Sequence, residues 1–141
     1  MYWNIYEVCY NLSRDVMKKT KISVFTKFNN IEETNEFLAI KSDNIIKYID
    51  LENNKMTIDM INNVIVRENS DYVFKIDFEN NKIIISLKKS NGTFEKIINT
   101  LAVSKTKSKY LVRYLLVDDD ILNEYYVKFW NNSCIISNKM I

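Results

Sequence analysis

The chain has 141 residues and a formal net charge of +2, a size that fits one domain with a single hydrophobic core. Its composition is 47% apolar and 27% charged, which excludes a disordered chain. The chain contains no histidine, the residue that most often serves as general base or metal ligand near neutral pH. We therefore predict a folded, non-enzymatic protein without a cofactor.

Glycine and proline are almost absent, since the chain has one glycine and no proline. Their codons are GC-rich, whereas those of the abundant isoleucine, asparagine and lysine are AT-rich, so we interpret the composition as that of an AT-rich bacterial genome. Asparagine tolerates positive φ better than other non-glycine residues. We therefore expect asparagine pairs between apolar runs to mark the turns.

Residues 2–17 carry the one helical pattern of the sequence, with apolar residues at Ile5, Val8, Cys9, Leu12 and Val16. The pattern predicts an amphipathic helix within an N-terminal extension of residues 1–20, which could cover part of the following domain. Met17 followed by two lysines is also typical of a bacterial translation start. A second interpretation is therefore that residues 1–16 precede the natural start.

The same segment argues against secretion, because its positive charge follows its apolar part. No run of apolar residues is long enough for a membrane span. The two cysteines, Cys9 and Cys134, lie near opposite ends and are too few for a disulfide scaffold or a zinc site. We expect a cytoplasmic protein with reduced thiols and no membrane contact, either a monomer or a homodimer.

From residue 21 onward, apolar residues alternate with period two in short runs, which is typical of β-strands. Asparagine pairs, and Asn91-Gly92 most strongly, separate several runs, as expected for antiparallel two-residue hairpins. Residues 21–141 are therefore predicted to form an all-β domain, an antiparallel up-and-down barrel of about eight to ten strands. The predicted strands are 21–28, 34–42, 45–51, 55–61, 63–68, 71–78, 82–90, 93–102, 109–117, 123–130 and a weak one at 133–137. The predicted hairpin turns are 53–54, 62–63, 80–81 and 91–92.

The strand at 71–78 indicates which face is the interior. Tyr72, Phe74, Ile76 and Phe78 share one face of this strand, and charged residues dominate the other. We therefore predict that the aromatic face lies in the main core.

Three segments resemble the bacterial YwiB-like proteins, a family of uncharacterised small barrels related in architecture to lipocalins and other calycins. The segments are VIVRENSDYVFKIDF (64–78), GTFEKIINT (92–100) and VRYLL (112–116). The family pattern places five residues: Arg67, Phe78, Gly92, Thr100 and Tyr114. The resemblance implies a lipocalin-like barrel, and the family brings no established activity to this chain.

Related calycin barrels often hold a ligand carboxylate with an interior arginine and a tyrosine hydroxyl, which suits a guanidinium that stays charged when buried. The resemblance therefore implies a site for a small, partly apolar or fatty-acid-like ligand. Its predicted residues are Arg67, Tyr72, Phe74, Thr100 and Tyr114. The alternation of apolar residues leaves open whether Arg67 points inward. The alternative to ligand binding is a structural ion pair of Arg67 with Glu68, Asp71 or Asp77.

The charge distribution suggests a second function. Residues 82–113 hold eight basic residues and one acidic residue, whereas residues 31–80 hold five basic and eleven acidic ones. This basic flank could bind RNA or an acidic protein, with Tyr110 stacking on a base. Pairing of basic with acidic strands inside one barrel accounts for the same pattern.

The carboxylates at 118–120 and Glu124 are oxygen ligands of the kind that calcium or magnesium prefers. Their spacing does not fit a calcium loop, and no glycine is present for its sharp bend. We predict a solvated hairpin turn and no metal site.

Overall fold

The computed structural model describes residues 17–118 and 120–129, which form a closed antiparallel barrel of ten strands. Each strand pairs with its neighbours in sequence, and β1 pairs with β10 to close the barrel. The strands are β1 (Met17–Phe28), β2 (Ile31–Ser42), β3 (Ile45–Ile49), β4 (Lys55–Asp59), β5 (Val64–Glu68), β6 (Tyr72–Asp77), β7 (Lys82–Leu87), β8 (Thr93–Lys105), β9 (Lys109–Leu116) and β10 (Leu122–Phe129).

The all-β, up-and-down barrel predicted from the alternation is confirmed. Strand β1 begins at Met17, inside the segment assigned to a helical extension, and Lys18 to Thr20 pair with Ala39 to Lys41 of β2. Thr20 is buried, so the alternation of β1 extends further towards the N-terminus than its apolar residues indicate. The rest of the predicted helix, the weak strand at 133–137 and both cysteines lie outside the described residues.

Asparagine does occupy the strained turn positions. Asn53, Asn63 and Asn81 have φ values of 63°, 55° and 57°, in the left-handed region. The predicted lengths are wrong, however, because the four connections at these positions and at Gly92 each contain four or five residues. The two-residue turns are instead Asn29-Asn30, where both residues have positive φ, and Asp43-Asn44.

An aspartate at the point where the strand ends explains the length of three connections. The sequence Ile-Asp-x-x-Asn-Asn recurs at 49–54, 58–63 and 76–81. Asp77 accepts hydrogen bonds from the backbone N–H groups of Glu79 and Asn80 and from the Asn80 side chain. These bonds outweigh partial burial, which acts in the opposite direction, and lower the pKa of Asp77. The aspartate therefore holds the whole turn.

The turns at one end of the barrel, which we call the closed end, bond to one another. It contains the connections β2–β3, β4–β5, β6–β7 and β8–β9. The backbone N–H of Phe78 donates to the carbonyl of Asn63, and that of Ile98 donates to the carbonyl of Asn81. Side chains fill the interior here, including Phe78, Ile98 and Tyr110, each at most 3% exposed. The predicted core position of Phe78 is thus confirmed.

In the described part of the chain, we find no helix of the length and apolarity needed to cross a membrane.

Candidate ligand-binding site

The opposite end of the barrel, which we call the cavity end, holds an internal cavity of about 510 Å³. It contains the connections β1–β2, β3–β4, β5–β6, β7–β8 and β9–β10. The volume falls within the roughly 300–1,000 Å³ of pockets that hold small molecules. The lining residues are Thr26, Lys27, Phe28, Ile31, Glu33, Met56, Ile65, Arg67, Tyr72, Phe74, Ile76, Tyr114, Glu124 and Tyr125.

Arg67 lies on the interior face of β5 and lines this cavity. It shares that face with the buried Ile65, and its cross-strand partners are Met56 and Phe74. The guanidinium carbon lies 5.8 Å from the centre of the Phe74 ring, a cation–π distance. The Arg67 Nε is buried and has no hydrogen-bond partner among the described residues.

The acidic residues expected as alternative partners of Arg67 are engaged elsewhere. The carboxylate of Glu68 lies 2.7 Å from the ammonium nitrogen of Lys88, and that of Asp71 lies 3.5 Å from Lys89. Asp77 caps its own turn at the closed end. The interpretation of Arg67 as half of a structural ion pair with one of these residues is therefore wrong.

The positive charge of Arg67 acts on the pKa values of three tyrosine side chains. The hydroxyl groups of Tyr48 and Tyr125 form a hydrogen bond with each other across the interior. Burial raises the pKa of Tyr48 and of Tyr114 to about 12, and the positive charge of Arg67 opposes the shift in both. Burial also raises the pKa of Tyr125. Tyrosine hydroxyls are protonated at neutral pH even without a shift, and burial extends this to higher pH, so the Tyr114 hydroxyl can donate a hydrogen bond.

Four of the five predicted site residues line the cavity: Arg67, Tyr72, Phe74 and Tyr114. Thr100 does not. Its hydroxyl donates to the carbonyl of Phe78 at 2.9 Å, and a β-bulge follows it before Ala102. Thr100 therefore helps to hold the closed end together, although its backbone pairs with Tyr114.

Sequence reasoning missed Tyr125 and Met56 as lining residues. Tyr125 shares the interior face of β10 with Val127 and Phe129, so the alternation contains the signal. Met56 likewise shares a face with Ile58 on β4. What the alternation lacks is any indication of which interior residues surround open space and which surround other side chains.

Three further charged residues contribute to the wall of the cavity. Lys27, Glu33 and Glu124 are its charged lining residues besides Arg67. Glu124 lies 3.6 Å from the guanidinium of Arg113 on the neighbouring strand β9. Thr26 and Tyr125 lie on the interior faces of β1 and β10, so their neighbours Lys27 and Glu124 direct their side chains to the outer face, and Arg67 supplies a positive charge inside.

The basic flank is less available than its sequence indicates. Tyr110, expected to stack on a base, is fully buried and donates its hydroxyl proton to Asn63 at 3.1 Å, so this expectation is wrong. Lys88, Lys89 and Arg113 each pair with a carboxylate. Binding of RNA or an acidic protein by residues 82–113 stays a prediction.

The structure also locates the predicted acidic turn. Asp118 and Asp120 lie in the connection between β9 and β10, which contains a turn as expected. Within residues 17–118 and 120–129, no group of three or more carboxylate or thiol side chains is arranged to hold a metal ion.

The fold and the cavity together define an all-β closed barrel with an internal polar and apolar pocket. No family model matches the chain, and a search of curated proteins finds no match either. The resemblance to the YwiB-like family therefore stays a prediction.

Proposed function

We propose that this barrel binds a small, partly apolar molecule that carries one carboxylate group, with the carboxylate held inside by Arg67. The observation that carries the proposal is the buried Arg67 Nε without a partner among the described residues. The Arg67 side chain is half-buried, and a buried N–H group such as its Nε is unfavourable unless a hydrogen-bond acceptor compensates for it. A ligand carboxylate supplies an acceptor together with a negative charge.

The surroundings of Arg67 support the same ligand chemistry. The Tyr114 hydroxyl is protonated at neutral pH and joins Arg67 as a lining residue, so it can donate a second hydrogen bond to a carboxylate oxygen. Met56, Ile65 and Phe74 offer apolar side chains for the rest of the ligand. The cavity thus combines one anchoring cation with an apolar wall.

Fluorescence titration with a dansyl-labelled undecanoic acid tests the proposal. The parent protein should bind this probe, and Arg67→Met should weaken the affinity by about 1.5 to 3 kcal/mol, the usual contribution of a hydrogen bond to a charged group. The methyl ester of the probe should bind the parent more weakly than the acid, and Arg67→Met should not change its affinity further.

Arg113→Met is the matched control, because it removes the same side chain from the outer face of the barrel. It should leave the affinity for the acid close to that of the parent. If Arg67→Met and Arg113→Met bind the acid equally, Arg67 is not the anchor. If the parent binds neither probe, the cavity is not a site for such molecules.

A further inference from the structure

The wall of the barrel is incomplete beside β2. Strands β2 and β3 pair only between residues 40–42 and 45–47. The remaining part of β2, from Ile31 to Leu38, pairs with β1 on one side. On its other side, no strand among the described residues pairs with it. We call Ile31–Leu38 the open edge.

The open edge presents regular hydrogen-bonding groups. The two-residue turn Asn29-Asn30 makes Phe28 and Ile31 the first hydrogen-bonded pair of the β1–β2 hairpin. Since hydrogen-bonded and non-hydrogen-bonded pairs alternate along antiparallel strands, Glu32, Thr34 and Glu36 direct their N–H and C=O groups away from β1. Unpaired groups of this kind are a template for another strand.

Exposure and charge indicate what kind of strand fits. Residues 31–34, Glu36 and Leu38 are exposed, so no described part of the chain covers the edge. Three glutamates, Glu32, Glu33 and Glu36, lie on it, and no basic residue occurs between Asn29 and Ile40. Two of these charges have a basic neighbour on β1, because Glu36 lies 3.0 Å from Lys21 and Glu32 has Lys27 as its cross-strand partner, whereas Glu33 is opposite Thr26. Two copies of this edge would repel each other, whereas a basic strand would be attracted.

We infer that the open edge of β2 binds an extended basic segment of a partner protein by strand addition. Main-chain hydrogen bonds to Glu32, Thr34 and Glu36 would give affinity, and lysine or arginine beside the glutamates would give specificity. Ile31 and Glu33 also line the cavity, so such a strand lies across one side of its mouth. The partner is thus expected where a ligand enters or leaves.

Fluorescence anisotropy with a labelled peptide of alternating lysine and valine tests the inference. Thr34→Pro removes an N–H group of the open edge, while the hairpin keeps its hydrogen bonds because Thr34 and Phe25 form a non-hydrogen-bonded pair. Thr34→Ala keeps that N–H group and serves as the matched control. We expect Thr34→Pro to weaken peptide binding roughly tenfold relative to Thr34→Ala.

Further probes separate strand addition from simple charge attraction. A version of this peptide with alternate backbone nitrogens methylated cannot donate the main-chain hydrogen bonds. Its affinity for the parent protein should be no higher than the affinity of the unmethylated peptide for Thr34→Pro. The double variant Glu32→Gln, Glu36→Gln should bind more weakly and with less salt dependence, and a glutamate–valine peptide should not bind the parent.

Three results would overturn the inference. The first is equal affinity of Thr34→Pro and Thr34→Ala for the peptide. The second is equal binding of the methylated and unmethylated peptides. The third is a parent dimer in sedimentation equilibrium that Thr34→Pro dissociates, which would assign the edge to a second copy of this chain.

Discussion

The two ends of the barrel are built from the same hairpins but differ in whether particular interior side chains find a hydrogen-bond partner. On β9, Tyr110 and Tyr114 point to the same interior face, four residues apart. The Tyr110 hydroxyl at the closed end donates to Asn63. At the cavity end, no hydrogen bond joins the Tyr114 hydroxyl to the described residues, and the Arg67 Nε lacks a partner as well. Tyr125 at the cavity end does bond to Tyr48, so the difference concerns Tyr114 and Arg67, whose polar groups remain available to a ligand.

The largest expected change in unfolding free energy tests whether the filled core of the closed end contributes more to stability than the cavity end. Phe78 is 3% exposed and packs edge-on against Tyr114, with ring centres 5.5 Å apart. Phe78→Ala should cost about 3 to 5 kcal/mol of unfolding free energy in urea titration, because it leaves a cavity in a filled core. Phe74→Ala is the counterpart at the cavity end, where open space already exists, and should cost less than about 2 kcal/mol. Equal losses would contradict the comparison.

A pH titration measures the burial of the Tyr114 hydroxyl. Its pKa is about 12 in the folded protein and about 10 in the unfolded chain. The stability linked to this raised pKa is therefore complete below pH 10 and is lost as the pH rises towards 12, up to about 3 kcal/mol. In urea titrations across this pH range, the unfolding free energy of Tyr114→Phe should fall less steeply with pH than that of the parent. Identical slopes would show that water already solvates Tyr114.

A smaller effect distinguishes the turns of the two ends. Asn81 at the closed end has a φ of 57° and accepts a hydrogen bond from the Thr100 N–H, so Asn81→Ala should cost about 1 to 2 kcal/mol. Gly92 at the cavity end has no positive φ, and an added Cβ would lie 3.3 Å from the tip of the exposed Leu87 side chain. Gly92→Ala should change stability by less than about 0.5 kcal/mol. A larger loss of unfolding free energy for Gly92→Ala than for Asn81→Ala would contradict the assignment of backbone strain to Asn81.

The strands were predictable from sequence because each buries one face, which imposes period two on the residues. The connections were predictable in position and not in length. Asn91-Gly92 has the strongest signature of a two-residue turn, yet the connection runs from Lys88 to Gly92. An asparagine pair marks only the end of such a turn, whereas the preceding aspartate, as at Asp59 and Asp77, determines the turn through its hydrogen bonds.

The candidate site was predictable in part for a related reason. Alternation placed Tyr72 and Phe74 on the interior face, and both line the cavity. It left Arg67 undecided, because a charged residue on an otherwise apolar face contradicts the pattern on which the assignment depends. The alternation could not exclude Thr100 from the site. A β-bulge follows this residue in the pairing of β8 with β9, and such a bulge is not visible in the sequence of β8 alone.

The order of the strands around the barrel has a consequence for folding. Nine of the ten strand pairings join neighbours in sequence, and only β1 with β10 joins the two ends of the described chain. Hairpins form locally, whereas this last pairing closes a loop of most of the chain and carries the largest entropy cost. Thr26 and Lys27 on one side of that seam, and Glu124 and Tyr125 on the other, line the cavity. The step that completes the barrel is therefore also the step that encloses the pocket.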